Sequence, residues 1–293
     1  MILDNVEQEA VSLARQLLEE AGVWDSEGDL KCLVDRFLVR ANKKQALDEF
    51  MIAVDERCNR IPLGHIVGTV AFDEMSLVVG SGVFIPRAHS TIIHKWLGDI
   101  QLGRGAQVLD LCAGSGAIGL GIARRRPDLI VTCVELDEVA LQYLSRNIAR
   151  MAVKGIQARA LRADVHDTSA FSRFAGQVEL IVANPPYVPE GLELLPEWNS
   201  HHPPISVYSG GDGLELIRQI ISLGVDLLIP QGWLVIEHGE EQGQAVRQLF
   251  EQHGLTDVRT VVDQLVSDST GSSVISVGRR STKFSNQGAE INE

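Results

Sequence analysis

Cysteine is scarce in this chain and unpatterned. Cys32, Cys58, Cys112 and Cys133 are scattered with no C-x-x-C spacing, which gives neither a zinc site nor a disulfide framework. Cys112 and Cys133 lie in or beside apolar strand-like runs and read as small core residues in a reducing compartment. No apolar run is long enough to span a bilayer, and Met1-Ile2-Leu3-Asp4-Asn5 lacks the basic and apolar regions of a signal peptide. A cytoplasmic protein without a membrane partner is therefore expected. Positive charge is in deficit: 26 Lys+Arg against 39 Asp+Glu leave a formal net charge of −13, which argues against extended nucleic-acid binding. Internal repeats and long low-complexity segments are missing too. What is present, 45% hydrophobic and 22% charged over 293 residues, suffices for one large domain and a smaller one.

The first sixty residues read as helices. Val11, Ala14, Leu17, Leu18 and Ala21 recur at helical spacing before Gly22, a C-cap; Leu33, Phe37 and Leu38 mark a second helix, and Ala46, Leu47, Phe50, Met51 and Val54 a third. This part is either a substrate-recognition element or a stabilising cap. Thr69-Val70-Ala71-Phe72 and Ser76-Leu77-Val78-Val79, separated by Asp73-Glu74-Met75, read as a hairpin leading to Gly82-Val83-Phe84-Ile85-Pro86-Arg87. Arg87 faces either a cofactor, an acidic substrate group or solvent. His65 reads as a structural histidine.

From Gln107 strands alternate with helices. Val108-Leu109-Asp110-Leu111 runs into Cys112-Ala113-Gly114-Ser115-Gly116, whose small residues allow a tight turn close to a ligand, with helix N–H groups following. Gly114, Gly116 and Gly119 also meet the dinucleotide spacing G-x-G-x-x-G, so an NAD-dependent oxidoreductase must be considered. Ile130 to Val134 leads to Glu135, placed to accept from a ribose diol, followed by a helix from Glu138 to Ala152 with Val139, Tyr143 and Ile148 inward. A strand near Ala158 to Ala163 delivers Asp164 and Val165 where adenine would sit; Asp164 reads alternatively as a turn or N-cap residue. A helix from Leu214 to Ile229, ended by Pro230, precedes a strand from Trp233 to His238; two later strands complete a sheet of about seven. His201 and His202, in the loop from Glu190 to Gly211, are adjacent, a spacing ill suited to one metal ion, and no metal is expected.

The fourth strand, Val178 to Ala183, stops at Asn184-Pro185-Pro186-Tyr187. Proline cannot continue a central ladder, and it holds the preceding residue extended. The turn presents a carboxamide, backbone carbonyls and an aromatic face at a strand's carboxyl end, where open α/β sheets bind ligands. Such a device holds a planar N–H₂ group by its hydrogens. Asp110 with its glycine turn, Glu135, Asp164 and Asn184 therefore occupy four successive strand tips, one βα unit apart each time.

Over about residues 5 to 280 the chain resembles the HemK/PrmC-type protein-(glutamine-N5) methyltransferases. The resemblance rests on the helical front, Pro62-Leu63-Gly64-His65-Ile66-Val67-Gly68, Ile85-Pro86-Arg87, Asp110 to Gly116, Asn184-Pro185-Pro186-Tyr187 and Ile236-Glu237-His238-Gly239. Two segments depart from it. Ala88-His89-Ser90 stands where Pro-Glu-Thr or Pro-Asp-Thr is usual, and Ser269-Thr270-Gly271-Ser272-Ser273 replaces an arginine-containing segment.

The resemblance implies an α/β class I methyltransferase with a Rossmann-like seven-stranded sheet, a small N-terminal helical domain (1–60), a linking β-hairpin (61–88), a catalytic domain (89–280) and a polar tail (281–293). It implies S-adenosyl-L-methionine as methyl donor, S-adenosyl-L-homocysteine as product, and a monomer acting on a glutamine in the Gly-Gly-Gln loop of a release factor, or on a ribosomal protein. Cofactor binding would fall to Asp110, Cys112, Ala113, Gly114, Ser115, Gly116, Glu135, Leu136, Asp164, Val165 and Asn184. The acceptor would lie against Asn184, Pro185, Pro186, Tyr187 and Arg87, with Asn184, Pro185 and Tyr187 catalytic. An amide nitrogen is a poor nucleophile; orienting it can contribute on the order of 7–11 kcal/mol at best. No strong base is named. The alternatives are an N-methyltransferase for a small molecule or adenine, the NAD enzyme above, and a non-catalytic binding module.

Overall fold

The computed structural model describes residues 4–38, 43–268 and 271–282. Helix α1 (Asn5–Glu20) starts in a capping box: Asp4 accepts from the Glu7 N–H while Glu7 accepts from the Asp4 N–H. Helix α2 (Ser26–Leu33) runs on into a π-turn (Val34–Leu38), and α3 (Lys43–Cys58) and the short α4 (Leu63–Val67) close the group. Ala14, Leu18, Leu30, Leu33, Phe50 and Val54 meet in one buried cluster, each large side chain worth roughly 1.5–3 kcal/mol in transfer terms.

Strands β1 (Thr69–Phe72) and β2 (Met75–Val78) form the hairpin. Its turn is two residues, not three: Asp73 and Glu74 both take positive φ, and Met75 is buried in the strand. Asp73 and Glu74 are held there by Arg125 and Arg124.

The seven-stranded sheet follows. Helix α5 (Thr91–Leu97), β3 (Gln107–Leu111), α6 (Ala117–Arg125), β4 (Ile130–Glu135), α7 (Glu138–Ala152), β5 (Arg159–Arg162) and β6 (Val178–Ala183) lead to a short α8 (Pro196–Asn199). Then come α9 (Glu215–Leu227), β7 (Leu228–Glu237), α10 (Gly243–Gln252), β8 (Leu255–Asp268) and β9 (Gly271–Arg280). The seven strands lie in the order β5-β4-β3-β6-β7-β9-β8, with β9 antiparallel to both neighbours. Successive strand residues alternate faces. Leu109, Leu111, Ile181, Ala183, Leu234 and Ile236 pack on α9 and α10, while Val108, Val131, Cys133, Leu180, Val182 and Val235 pack with α5 and α6 residues. Burial on both faces explains why the strands read as unbroken apolar runs. The chain leaves β3 toward β4 on one side and returns as β6 on the other, so a crevice opens between their carboxyl ends.

Two expectations need correction. Pro230 does not end the helix before β7; it lies inside β7, where pairing with β6 jumps from Leu228 to Trp233 and Gln231 takes positive φ. A proline is tolerated at such a bulge because no ladder N–H is needed. On α7 the fully buried residues are Ala140, Leu144, Asn147 and Met151; Tyr143 and Ile148 are half-buried and pack against core clusters as expected, whereas Val139 is exposed. The buried set follows the i, i+4, i+7, i+11 stripe, and Asn147 earns its place by bonding the backbone of Val78 and Ser115.

Candidate active site

A cavity of about 830 Å³ opens at the carboxyl ends of β3 to β7, within the range of small-molecule sites. At the end of β3, Cys112 and Gly114 take positive φ, and Gly116 (φ 90°) is the left-handed residue from which α6 starts. A Cβ on Gly116 would also stand 2.6 Å from the Leu144 side chain. Gly119 is required for a different reason: a Cβ there would meet Cys133 Sγ at 2.4 Å, so it lets α6 lie close on the sheet. Ser115 presents a hydroxyl that is 1% exposed by residue and has no hydrogen-bond partner among the described residues, yet the residue lines the cavity.

Cys112, Ala113, Gly114, Ser115, Glu135, Leu136, Asp164 and Val165 all line this end of the cavity. Asp110 and Gly116 do not. Asp110 is fully buried and accepts the Gly119 N–H at 2.8 Å, satisfying one of the orphan amides at the start of α6. Burial pushes its carboxyl up to about 7, with the Gly119 bond pulling the other way. Its contact with a ligand is thus indirect, through the turn that it braces. Glu135 accepts from Gly114 N–H, Leu136 N–H and Asp137 N–H at 2.8 Å each; burial nonetheless leaves its carboxyl raised. Asp164 is partly exposed, accepts from the His166 backbone and ring, and is lowered by those bonds. It is a turn residue and a cavity residue at once, while the N-cap of the next 3₁₀ turn is Asp167.

At the other end stand Asn184, Pro185, Pro186, Tyr187 and Arg87, which all line the same cavity. The Asn184 Nδ2 donates to Ser90 Oγ at 3.2 Å. Ser90 is the last residue of the altered Ala88-His89-Ser90 segment, so the departure from threonine keeps a hydroxyl there. Gln242 fixes the turn from outside, donating to the Tyr187 carbonyl at 2.9 Å while accepting the Gly239 N–H at 2.9 Å. Arg87 stacks over Trp198 at 5.0 Å, and Phe84 lies 5.7 Å from Trp198. His89 donates to the Gly271 carbonyl at 3.0 Å, bringing the start of β9 to the rim; Ser269 and Thr270, of the other altered segment, lie outside the described residues.

Sequence reasoning assigned no role to Ser90, His89, Phe84, Trp198, Gln242, Glu237 or His238. Glu237 and His238 were visible within the Ile236-Glu237-His238-Gly239 motif, His89 and Ser90 within the altered Ala88-His89-Ser90 segment, and Phe84 within the stretch leading to Arg87; Trp198 and Gln242 carried no local signal. His238 is buried and neutral, donating through Nδ1 to Gly239 O and accepting at Nε2 from Ser276, in a chain continued by Thr260 and Arg247.

The loop over the cavity is moored to the N-terminal helices. Glu197 receives Arg60 through Nε and Nη2 at 2.7 Å each and Arg57 at 2.9 Å, while Arg57 also binds Asp29 at 2.6 Å. Two guanidinium partners outweigh burial and hold the Glu197 carboxyl low, whereas Asp29, with one, is pushed up by burial. His202 stacks on Trp198, accepts the Ile85 N–H at 3.2 Å and donates through Nδ1 to the Glu197 carbonyl at 3.0 Å. His65 donates to the Val83 carbonyl at 3.0 Å, a structural role. Among the described residues no group of three or more His, Cys, Asp or Glu is placed to hold a metal ion, and no helix is long and apolar enough to cross a membrane.

Residues 88–194 match the family model described as methyltransferase small domain. The chain is 38% identical over 259 residues to a protein of Mycolicibacterium smegmatis named release factor glutamine methyltransferase, covering 85% of this chain and 90% of the relative. A protein of the same name from Corynebacterium glutamicum is 36% identical over 258 residues, covering 84% and 90%. Among solved structures, the hMettl16 catalytic domain in complex with a 3′UTR hairpin aligns with a TM-score of 0.53 at 12% identity, covering 82% of each chain, a likeness of fold alone.

Proposed function

The chain belongs to the release factor glutamine methyltransferases, and on that premise we propose that it moves a methyl group from S-adenosyl-L-methionine to the side-chain amide nitrogen of a glutamine in a peptide-chain release factor. The observation that carries this reading is the polarity of Asn184. Its N–H₂ is spent on Ser90, which leaves Oδ1 as an acceptor at the tip of β6. The Pro185 carbonyl, beside it, accepts no hydrogen bond among the described residues. Two carbonyls at one strand tip suit a group that offers two N–H bonds and no lone pair for hydrogen bonding.

The residues fit the donor. The orphaned Ser115 hydroxyl and the amides of the glycine turn suit a carboxylate, Glu135 keeps acceptor capacity for a ribose diol, and Asp164 with Val165 would border adenine. When bound, S-adenosyl-L-methionine supplies an electrophilic methyl on a sulfonium. Asn184 Oδ1 and Pro185 O would hold the acceptor's two hydrogens and fix the nitrogen's approach. They also stabilise the positive charge that develops on it, which one N–H proton then carries away into solvent. Tyr187, packed against the sheet core, would bound the amide plane. Arg87, held over Trp198, would form a wall of the acceptor end. The N-terminal helices (1–60), moored to the loop that carries Trp198, would recognise the larger protein substrate.

Incubating the chain with S-adenosyl-L-methionine and a purified release factor, then reading the glutamine-bearing peptide by mass spectrometry, tests the reading. One added methyl is expected, and Asn184→Ala should slow its appearance about 100-fold or more. A methyl on another residue type, or none despite bound donor, would refute it.

A further inference from the structure

We propose that Gln242 is a positioning residue for methyl transfer: its side-chain amide ties the acceptor turn, at the Tyr187 carbonyl, to the start of α10 and so sets where the Asn184 and Pro185 oxygens stand. The inference rests on the amide-acceptor reading given above. Gln242 ends the 3₁₀ turn Glu240–Gln242 and lines the cavity. Its Nε2 donates to Tyr187 O at 2.9 Å and to Asp212 O at 3.2 Å, while its Oε1 accepts the Gly239 N–H at 2.9 Å. These three partners leave the amide one orientation, because the two carbonyls can only accept and the N–H can only donate. Both amide hydrogens are thereby spent, so Gln242 acts on the substrate through the turn. Gly213 completes the socket: a Cβ there would stand 2.2 Å from Tyr187 O and 2.8 Å from Gln242 Nε2.

The stiffness of the turn gives this bond leverage. Ala183 is fixed in the ladder opposite Leu111 and Ile236. Beyond it, the ring-locked φ of Pro185 and Pro186 makes Asn184 to Tyr187 move as one unit. Displacing the Tyr187 peptide plane therefore displaces the Pro185 carbonyl with it. Val188, the next residue, is held independently: its N–H donates to Val207 O and its carbonyl accepts the Ser209 N–H, both at 3.0 Å. The loop thus keeps its path without Gln242, and what the Gln242 bond adjusts is the turn. A misplacement of about 1 Å at a reacting centre costs on the order of 100-fold in rate.

Gln242→Glu, nearly isosteric, turns the question into one of protonation. Ionised, it still accepts the Gly239 N–H but sets a carboxylate oxygen against the Tyr187 and Asp212 carbonyls; protonated, it regains one O–H donor for Tyr187 O. The charged groups around it are Glu240 and Glu241 on its own turn, Glu215 on α9 and Asp212 with its partner Arg218, and His238 stands on β7. With the two carbonyls, this acidic majority holds the introduced carboxyl above its ordinary value of about 4.3. The test uses the full chain, S-adenosyl-L-methionine and a release factor, with single-turnover rates and the donor Kd at pH 8 and 5.5 for wild type, Gln242→Glu and Gln242→Met. At pH 8 both variants should transfer methyl about 100-fold more slowly than wild type, with the donor Kd unchanged within about twofold. At pH 5.5 Gln242→Glu should recover to within about tenfold of wild type at that pH, whereas Gln242→Met keeps its deficit. A merely structural role would slow both variants alike at both pH values, and that result would overturn the inference. So would either variant within about threefold of an active wild type at pH 8, or a donor Kd weakened in step with the rate. Gln242→Met, uncharged, carries the pH 8 comparison if the glutamate variant does not fold. An inert wild type would overturn the acceptor reading, and this inference with it.

Discussion

Lowering the pH from 7 to 5 is expected to cost about 2 kcal/mol of stability through His202 alone. In the folded protein both ring nitrogens of His202 are committed: Nε2 accepts from Ile85 N–H and Nδ1 donates to Glu197 O. Protonation would set an N–H against an N–H donor inside a site where the residue is 4% exposed. Burial is the largest cause that lowers its pKa to about 4, joined by the charges of His65, His201 and Arg87, with the Glu197 carbonyl opposing. The folded pKa lies below the ordinary value of about 6.5, so between those values the unfolded chain binds the proton and the folded one does not. The stabilisation is therefore present above about 6.5 and fades as the pH falls toward 4. The full shift is worth about 3 kcal/mol, most of it already spent at pH 5. Urea unfolding at pH 7 and 5 should show the wild type losing about 2 kcal/mol more than His202→Gln, which can keep both bonds without titrating. His94, also lowered to about 4, has the same sign but remains in both proteins and cancels. Equal losses in the two proteins, or a His202 ring titrating near 6.5 by NMR, would refute the reasoning.

Gly119→Ala should destabilise the fold by about 1–3 kcal/mol in urea melts, because its Cβ has no room between Cys133 Sγ and Asp110 Oδ2. Ser115→Ala should leave the melting temperature unchanged, since the hydroxyl has no partner to lose. By calorimetry it should weaken donor binding about 10- to 100-fold, the value of a hydrogen bond to a charged group. Glu197→Gln should cost about 3 kcal/mol by leaving Arg60 without its carboxylate, and a double-mutant cycle with Arg60→Gln should recover much of that loss.

Much of the sheet and of the donor end was legible because a parallel sheet covered on both faces writes continuous apolar runs, each ending in a residue of special chemistry. Glu135 and Asn184 stand out against Ile130 to Val134 and Val178 to Ala183 for that reason. Asp110 was read as a tip residue, but it shares strand parity with Val108, which places it on the α6 face, not in the crevice. The Ser90–Asn184 bond was not legible, because it joins residues 94 apart in sequence, which no local pattern states. The mooring of Glu197 was hidden likewise, since an isolated glutamate in a polar loop reads as solvated until its two arginines arrive from the helices.

That mooring has a consequence for the order of events on the ribosome. Arg57 and Arg60 are synthesised well before their shared carboxylate, which lies 140 and 137 residues downstream. The N-terminal helices can pack Leu18, Leu33 and Phe50 as soon as α3 emerges, with Asp29 already serving Arg57. Arg60, whose Nη1 has the Ala21 carbonyl within reach, gains its carboxylate only when Glu197 leaves the exit tunnel, roughly ten seconds later at ordinary elongation rates. Docking of the helices on the cavity loop is thus a late, long-range closure, and the nascent helical segment emerges with its cationic seam uncovered.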